Sequence, residues 1–395
     1  MMLLVANPES PESSKAWREL LGAFTDFEKQ FLEGPKAVRG ELAVAEGYQF
    51  LATMLGLSLD VTLFADPVAP RFHDLLTPTR HDRRWGGDNT DAYYSYVVVD
   101  PRRTYRVSGT PNGSSMYSIA VYNEPEPEPG AWPNRTIGVL YDEDMALDDD
   151  GQFSCVLGPV RPEGSDGPYD GPFIALDDDA HGVLTRDYHE DPARSRRLDW
   201  AIEVLDHGGQ PSVPLKTDEA VAKSLRAALR YAQDMFALVP LVLQERKPSE
   251  LADGQNLSHN VLAPPYRAGA ATHGYSMQNA VYSLGAYALA PGEALVITSR
   301  HPKCRFWNLT LWNQYMAAPD LEYGRGGINS GSAVANSDGT VTIMISREQL
   351  DHPNAISTKD HPEGLMSFRW FHADELPEQP ATVVLAAADA PREVS

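Results

Sequence analysis

The feature that most constrains this chain is a rhythm. From Tyr93 onward, short runs rich in β-branched and aromatic residues alternate with turn signals, and the same alternation returns in the last third. AYYSYVVVD, TYRVSG, SMYSIAVYN, TIGVLYD and FSCVLG are separated by Asp100-Pro101, Pro111-Asn112-Gly113, Asn123-Glu124-Pro125 and Asp149-Asp150-Gly151. HGVLTRDY and LDWAIEVLD extend the series to about Asp206. β-Branched and aromatic side chains fit a pleated, half-buried surface, while Gly, Pro, Asn and Asp supply the dihedral angles that reversals need. A second series begins near Gln278 with NAVYSLGAYALA, EALVITSR, CRFWNLTLWNQY, GTVTIMIS, GLMSFRWFHA and ATVVLAAA, and Asn336-Ser337-Asp338-Gly339 forms a tight turn within it. The expected fold class is mainly β: two tandem antiparallel β-sandwich (jelly-roll-like) domains with N-terminal helices and a helical insert. SMYSIAVYN in the first series and FWNLTLWNQ in the second mix aromatic, polar and apolar residues in a similar order. Duplicated sandwiches would produce that likeness, and so would generic strand patterning.

Helical periodicity fills the rest. Trp17, Leu20, Leu21, Phe24, Phe27 and Phe31 recur at three and four, which makes one apolar stripe, with Ser13 or Ser14 as its cap and Gly34-Pro35 as its stop. A second helix is expected from about Val38 to Leu57, with Leu42, Tyr48, Leu51 and Leu55 inward. Thr217 opens a third, to about Arg246, with Val221, Leu225, Leu229, Ala232, Met235, Phe236 and Val239 as its stripe and Pro240 as a kink or end. The Gly/Pro/Asn-rich stretch from Pro248 to Gly274 reads as a linker or a lid. The expected organisation is a helical region at 1–84, a first sandwich at 85–210, a helical insert and loop at 211–274, and a second sandwich at 275–395.

Charge narrows the partners. Over 395 residues, 55 acids stand against 33 bases, a formal net charge of −22. Such a surface repels phosphate, so nucleic acid and anionic membrane are not expected partners. No apolar run of membrane-spanning length stands out, and MMLLVANPESPE lacks a basic n-region and an adequate apolar core for a signal peptide, so the expected location is cytoplasmic. Cys155 and Cys304 lie in apolar strand-like runs and read as buried thiols.

Two clusters could carry chemistry. In the first, Asp82, Trp85, Gly86, Gly87, Asp88, Asn89, Asp91, Tyr93 and Tyr94 crowd a strand entrance. Carboxyls held close raise one pKa and so provide a proton donor and an acceptor at neutral pH, which a hydrolase or lyase needs. Asp88 and Asp91 are the candidate acid and base. The competing reading has Asp88 and Asn89 capping a turn and Asp91 pairing with Arg83, Arg84 or Arg106. In the second cluster, Trp307, Asn308, Trp312, Asn313, Tyr315, Arg369 and Trp370 offer aromatic faces and amides that suit a sugar or another polar–apolar molecule, or else form an aromatic core. Strand alternation sends Phe306, Asn308, Thr310 and Trp312 one way and Arg305, Trp307, Leu309 and Leu311 the other. Asn89, Tyr94, Arg106, Tyr122, His301, Asn308, Trp312 and Arg369 are the candidate substrate-binding residues, gathered in the seam between sandwiches. Anionic substrates are disfavoured unless Arg83, Arg84, Arg106 and Arg369 converge.

No GxSxG elbow, Walker loop or Rossmann fingerprint occurs, and none of the histidines forms an HxH or HExxH pair. No cofactor is expected. A divalent metal would have to be assembled across the fold from His259, His273 or His301 with acids. The expected function is a cofactor-independent hydrolase or lyase acting on a small polar–apolar or glycan-like molecule. Its rivals are a non-catalytic carbohydrate or hydrophobic-ligand binding protein, and a tandem-sandwich assembly protein whose exposed aromatics are homo-oligomer contacts.

CRFWNLTLWN, NSDGTVTIMIS and HPEGLMSFRWF together resemble the bacterial domain of unknown function 1214. GGDNTDAYYSYVVVDPRRTYRVSG resembles the companion domain of unknown function 1254, with its D-N-x-D-x-x-Y string ahead of two strands. The resemblance spans roughly Trp85 to Ala388. It implies two consecutive sandwich or jelly-roll domains and no established activity. One departure stands out: after His-Pro-Asn the family tends to place Trp, and this chain has Ala355.

Overall fold

The computed structural model describes residues 11–164, 167–206, 217–241, 259–267, 274–318, 326–392 and 394. It is mainly β, with two sandwiches and three long helices. In the first sandwich the larger sheet runs His73–Leu76, Ala92–Val98, Ala180–Tyr188, Met116–Asn123, Thr136–Tyr141. The smaller runs Asp199–Val204, Tyr105–Thr110, Phe153–Gly158, Phe173–Ala175. The second sandwich repeats this plan. Its larger sheet is Val261–Leu262, Ala280–Ala288, Glu363–Phe371, Phe306–Trp312, Gly327–Asn329, with Tyr266–Arg267 also on Ala280–Ala288. Its smaller sheet is Ala381–Ala386, Glu293–Ser299, Val341–Ser346, Ala355–Ser357. Each sandwich even places one parallel pair at the same point, Phe153–Gly158 with Phe173–Ala175 and Val341–Ser346 with Ala355–Ser357. The two sandwiches are topological copies, so the likeness of SMYSIAVYN to FWNLTLWNQ is between equivalent strands. The strand His73–Leu76 belongs to the first sheet although it lies in the segment read as helical.

Both cores follow from period-2 alternation. Val97, Val107, Ile119, Val121, Cys155 and Val183 fill the first, and Leu295, Ile297, Trp307, Leu309, Leu311, Ile343 and Phe368 the second. Phe306 and Trp312 face the other way, into separate clusters. Cys155 is sealed, and burial pushes its thiol up to about 12. Cys304 is only half-buried, because it precedes its strand rather than lying in it.

The helices cover one end of the first larger sheet. α1 (Glu12–Leu32), α2 (Glu41–Val61) and α3 (Asp218–Leu238) pack with Tyr96, Val98, Ala120, Tyr122 and Leu184 of that sheet. Phe27 of α1 stacks on Phe236 of α3 with ring centroids 4.2 Å apart, an arrangement that adds about 0.5–1.5 kcal/mol to area burial. Details of these helices differ from expectation. α1 is capped by Pro11 without a side-chain bond, and Ser13 instead donates to Asp218 of α3. Trp17, Leu21, Leu42 and Tyr48 are exposed, since α3 and the sheet select Ala16, Leu20, Phe50, Met54 and Leu57. Thr217 accepts from Ala220 N at 3.1 Å as the α3 cap, and the helix ends at Leu238, before Pro240. Glu41–Val61 is long and apolar enough to cross a bilayer by length and composition, contrary to the sequence reading; here its inner face packs on protein. Most of the stretch read as a lid, 248–274, lies outside the described residues.

Candidate functional site

The face of each larger sheet that turns away from its own core meets the other sandwich. Ala92, Met116, Tyr141 and Tyr188 of the first pack on Met277, Ala280, Phe306 and Phe371 of the second. Arg305 bridges the same junction, donating from both terminal nitrogens to Asp142 at 2.6 and 2.7 Å. This seam holds most of the residues singled out in the sequence.

Asp88–Asp91 and Asn308–Trp312 form one network. Asn308 Nδ2 donates to Asp91 Oδ2 and Asn89 Oδ1, each at 2.6 Å, and Asn329 Nδ2 donates to Asp91 Oδ1 at 2.8 Å. Trp312 Nε1 donates to the Asp88 carbonyl at 2.8 Å. Asp88 is held by Arg84 and by the Ala318 amide at 2.8 Å. The competing pairing of Asp91 with an arginine is not made; its oxygens are taken by two amides from the other sandwich. Burial raises the Asp91 carboxyl above its ordinary value, and the amides only partly oppose that. Gly86 and Gly87, with φ of +64° and +75°, form the turn that delivers this segment. At Gly87 a Cβ would stand 3.1 Å from Met316 Cε and 3.2 Å from the Trp312 ring, and the positive φ is one that a side chain would strain, so glycine suits the position.

Arg369 completes this half of the seam. Its Nη2 donates to the Gly87 carbonyl at 2.7 Å, its Nη1 approaches the Asp88 carbonyl and Thr310 Oγ1, and the guanidinium lies 4.9 Å from the Trp312 ring centroid. Two proposed residues lie elsewhere. Arg106 pairs with Glu203 on the smaller sheet at 2.9 Å, exposed to solvent. His301 lies in the second core, stacked on Trp307 at 4.0 Å and accepting from Trp370 Nε1 at 2.9 Å; burial lowers it to about 4. Neither joins the seam network. Arg83 and Arg84 are neutralised by Asp60 and Asp88, so of the four arginines considered for convergence only Arg369 is in the seam without a carboxylate within ion-pair distance among the described residues. Of the histidines considered as ligands, His273 lies outside the described residues and His259 bridges Ala286 at a sheet edge. Among the described residues no three His, Cys, Asp or Glu side chains gather to hold a metal.

Sequence reading missed Arg186. It stands opposite Ser118 and Tyr94 as Arg369 stands opposite Asn308 and Tyr282. Its Nη2 donates to Tyr122 Oη at 2.9 Å and to the Tyr275 carbonyl at 2.6 Å, and it lies 5.7 Å from the Tyr94 ring centroid. The equivalence reaches single bonds. Tyr122 Oη donates to Ser276 O where Trp312 donates to Asp88 O. The Asp91 carbonyl accepts from His189 N where the Asn279 carbonyl accepts from His372 N. The signal was present as Asp91-Ala-Tyr-Tyr-Ser against Asn279-Ala-Val-Tyr-Ser, and Arg186-Asp-Tyr-His against Arg369-Trp-Phe-His.

A polar cavity adjoins Arg186's partners, lined by Tyr96, Tyr122, Asn123, His181, Tyr231 and Tyr275 among others. Its volume of about 20 Å³ suits one water.

The whole chain shares its fold with an uncharacterized protein from Burkholderia cenocepacia, at 24% identity, with a TM-score of 0.79 over 96% of this chain and 98% of that one. The VPA0106 protein from Vibrio parahaemolyticus aligns over 94% of this chain and 99% of its own at 13% identity, with a TM-score of 0.47. No curated protein matches. Residues 291–375, from the second sandwich, match the family described as Protein of unknown function (DUF1214).

Proposed function

We propose that this chain binds a small polar–apolar molecule at the edge of the seam between its sandwiches, with Tyr96, Tyr122 and Tyr275 as its wall. The observation that supports this reading is the convergence of Tyr96, Tyr122, Tyr231 and Tyr275 on one polar cavity; as it stands the cavity holds one water, so a ligand would have to widen it. Rings supply apolar area and hydroxyls supply orientation, the composition of small-molecule sites. The reading needs no cofactor, and a cytoplasmic location is proposed from the sequence alone. It keeps the first sandwich as the 1254-like companion of the 1214-like second.

A second reading adds turnover, as a hydrolase or lyase with Asp91 as proton donor and Asp88 as its partner. The raised Asp91 carboxyl favours it. Against it, both Asp91 oxygens and both Asp88 oxygens already accept bonds from protein.

Thermal unfolding of the purified chain with a panel of sugars, lactones, carboxylic acids and their amides tests both. A compound that binds only the folded state raises the midpoint, by about 2.7 kcal/mol of stability at a hundredfold excess over Kd. Binding lost in Tyr122→Phe and Tyr275→Phe supports the seam site; binding unchanged in both variants overturns it. Consumption of the compound by wild type but not by Asp91→Asn establishes the second reading.

A further inference from the structure

We propose that His361 and Glu46 form a proton-operated clasp between α2 and the second sandwich, closed while the imidazole carries both of its ring protons and loosened as pH rises. It does not depend on the seam-binding reading.

Two side chains of the second sandwich hold the first half of α2. Ala43, Glu46 and Phe50 share one face of that helix by their spacing of three and four. Tyr315 stacks on Phe50 with ring centroids 5.5 Å apart and donates to the Ala43 carbonyl at 3.0 Å. Between these contacts, Glu46 Oε1 stands 2.8 Å from His361 Nε2. The other ring nitrogen, Nδ1, stands 2.5 Å from the Thr358 carbonyl. An ionised carboxylate and a carbonyl offer only lone pairs, so both bonds exist only when both nitrogens carry hydrogen. A neutral ring has one N–H and would set a bare nitrogen against an oxygen. His301 and His352 are built the opposite way: each accepts a bond from an N–H, at 2.9 and 3.1 Å, which requires a bare ring nitrogen.

The turn that presents His361 has a costly shape. Lys359 and Asp360, with φ of +52° and +67°, both occupy the left-handed region that side chains disfavour. Thr358 Oγ1 closes the turn by donating to the His361 carbonyl at 2.7 Å. Such a conformation persists where its surroundings hold it, and here it aims a buried imidazole at the helix.

The charges around the ring favour its second proton. Glu46 faces it from α2, and Asp360 lies in its own turn beside Lys359, with Arg347 paired to Asp360. Tyr287, on the strand Ala280–Ala288, and Tyr315 lie near Glu46, and Tyr287 also lies near Glu363. Burial works against the charged ring, but the bond and charge of Glu46, the Thr358 carbonyl and Asp360 outweigh it, so His361 is held above its ordinary 6.5. Its contribution is therefore fully present below 6.5 and is lost as pH rises through the higher folded value.

Nitrogen-15 NMR of the imidazoles in the full chain, with His361→Gln assigning the signals, tests the clasp. Both His361 nitrogens should be protonated at about pH 6, and the ring should titrate with a midpoint above 6.5. Glu46→Gln should move that midpoint down by at least about half a pH unit. Hydrogen exchange, corrected for its intrinsic rate, gives a second readout. Between about pH 6 and about pH 9, amides over residues 44–50 should lose protection by about threefold or more relative to those of α3, and His361→Gln should abolish that change. A midpoint at or below 6.5, a midpoint that Glu46→Gln leaves in place, or the same pH dependence of α2 protection in wild type and His361→Gln overturns the clasp. If His361→Gln does not fold, Glu46→Gln carries both readouts.

Discussion

The two halves of the seam use the same backbone plan with different side chains. In the half around Arg369, the Gly87–Asp91 segment of the first sandwich lies over the second, and Asn308, Asn329, Thr310 and Trp312 are all engaged. In the half around Arg186, the Tyr275–Asn279 segment of the second sandwich lies over the first and makes the equivalent carbonyl contacts. There the side chains are smaller and no carboxyl stands at the place of Asp91. Neither half is fully satisfied: Asn308 Oδ1 and Asn89 Nδ2 in the first and the Ser118 hydroxyl in the second are buried without a partner among the described residues, but only the first places a carboxyl, Asp91, against the facing strand.

The sharpest test of this equivalence is to remove each arginine. Arg369→Met orphans the Gly87 carbonyl, while the Asp88 carbonyl keeps Trp312 Nε1, and chemical denaturation should show a loss of about 1–3 kcal/mol. Arg186→Met orphans the Tyr275 carbonyl and should cost a similar amount. A loss in one variant several times that in the other would break the comparison. A smaller effect is expected one residue along each facing strand. Asn308→Ser should cost about 1–3 kcal/mol because it strips amide donors from Asp91, whereas Ser118→Ala should stay within about 0.5 kcal/mol because that hydroxyl has no partner. A large loss in Ser118→Ala would mean that its hydroxyl is already satisfied.

The smallest effect is in pH dependence. Because the folded-state pKa of Asp91 is raised above 3.8, the folded chain binds that proton more tightly than the unfolded chain. Its contribution is therefore fully present below 3.8 and is lost as pH rises through the folded value. His301, lowered to about 4, acts in the opposite sense, since stability falls as pH drops from the free histidine range toward 4. Stability curves of Asp91→Asn and wild type should differ in slope on the acid side, and Asn279→Ser, in the other half, should leave the slope unchanged. Matching slopes in Asp91→Asn and wild type would place Asp91 in a less buried setting than its neighbours indicate.

Strands were legible because their evidence is local. The facing of Phe306, Asn308, Thr310 and Trp312 against Trp307, Leu309 and Leu311 follows from the pleat alone. The helical faces were legible only approximately. In α1 and α2 several adjacent apolar residues satisfy the three-and-four spacing, and which of them turn inward depends on α3 and the sheet beneath. Trp17 and Tyr48 were misjudged for that reason. Arg186 was passed over because an arginine inside HGVLTRDY looks like an ordinary solvent-facing strand residue. It becomes conspicuous only when Arg369 is recognised as its counterpart.

By itself, then, the sequence determined the sandwiches, their order, the helical insert and the alternation that sends one row of side chains inward and the next outward. These are short-range consequences of pleat geometry, turn chemistry and apolar spacing. The tertiary structure decided what each outward row would meet. Asn308 and Asp91 are 217 residues apart and 2.6 Å from one another. No local periodicity encodes that contact; it exists because two sandwiches dock through their larger sheets, and that docking buries Arg186 and Arg369 at equivalent places in the seam.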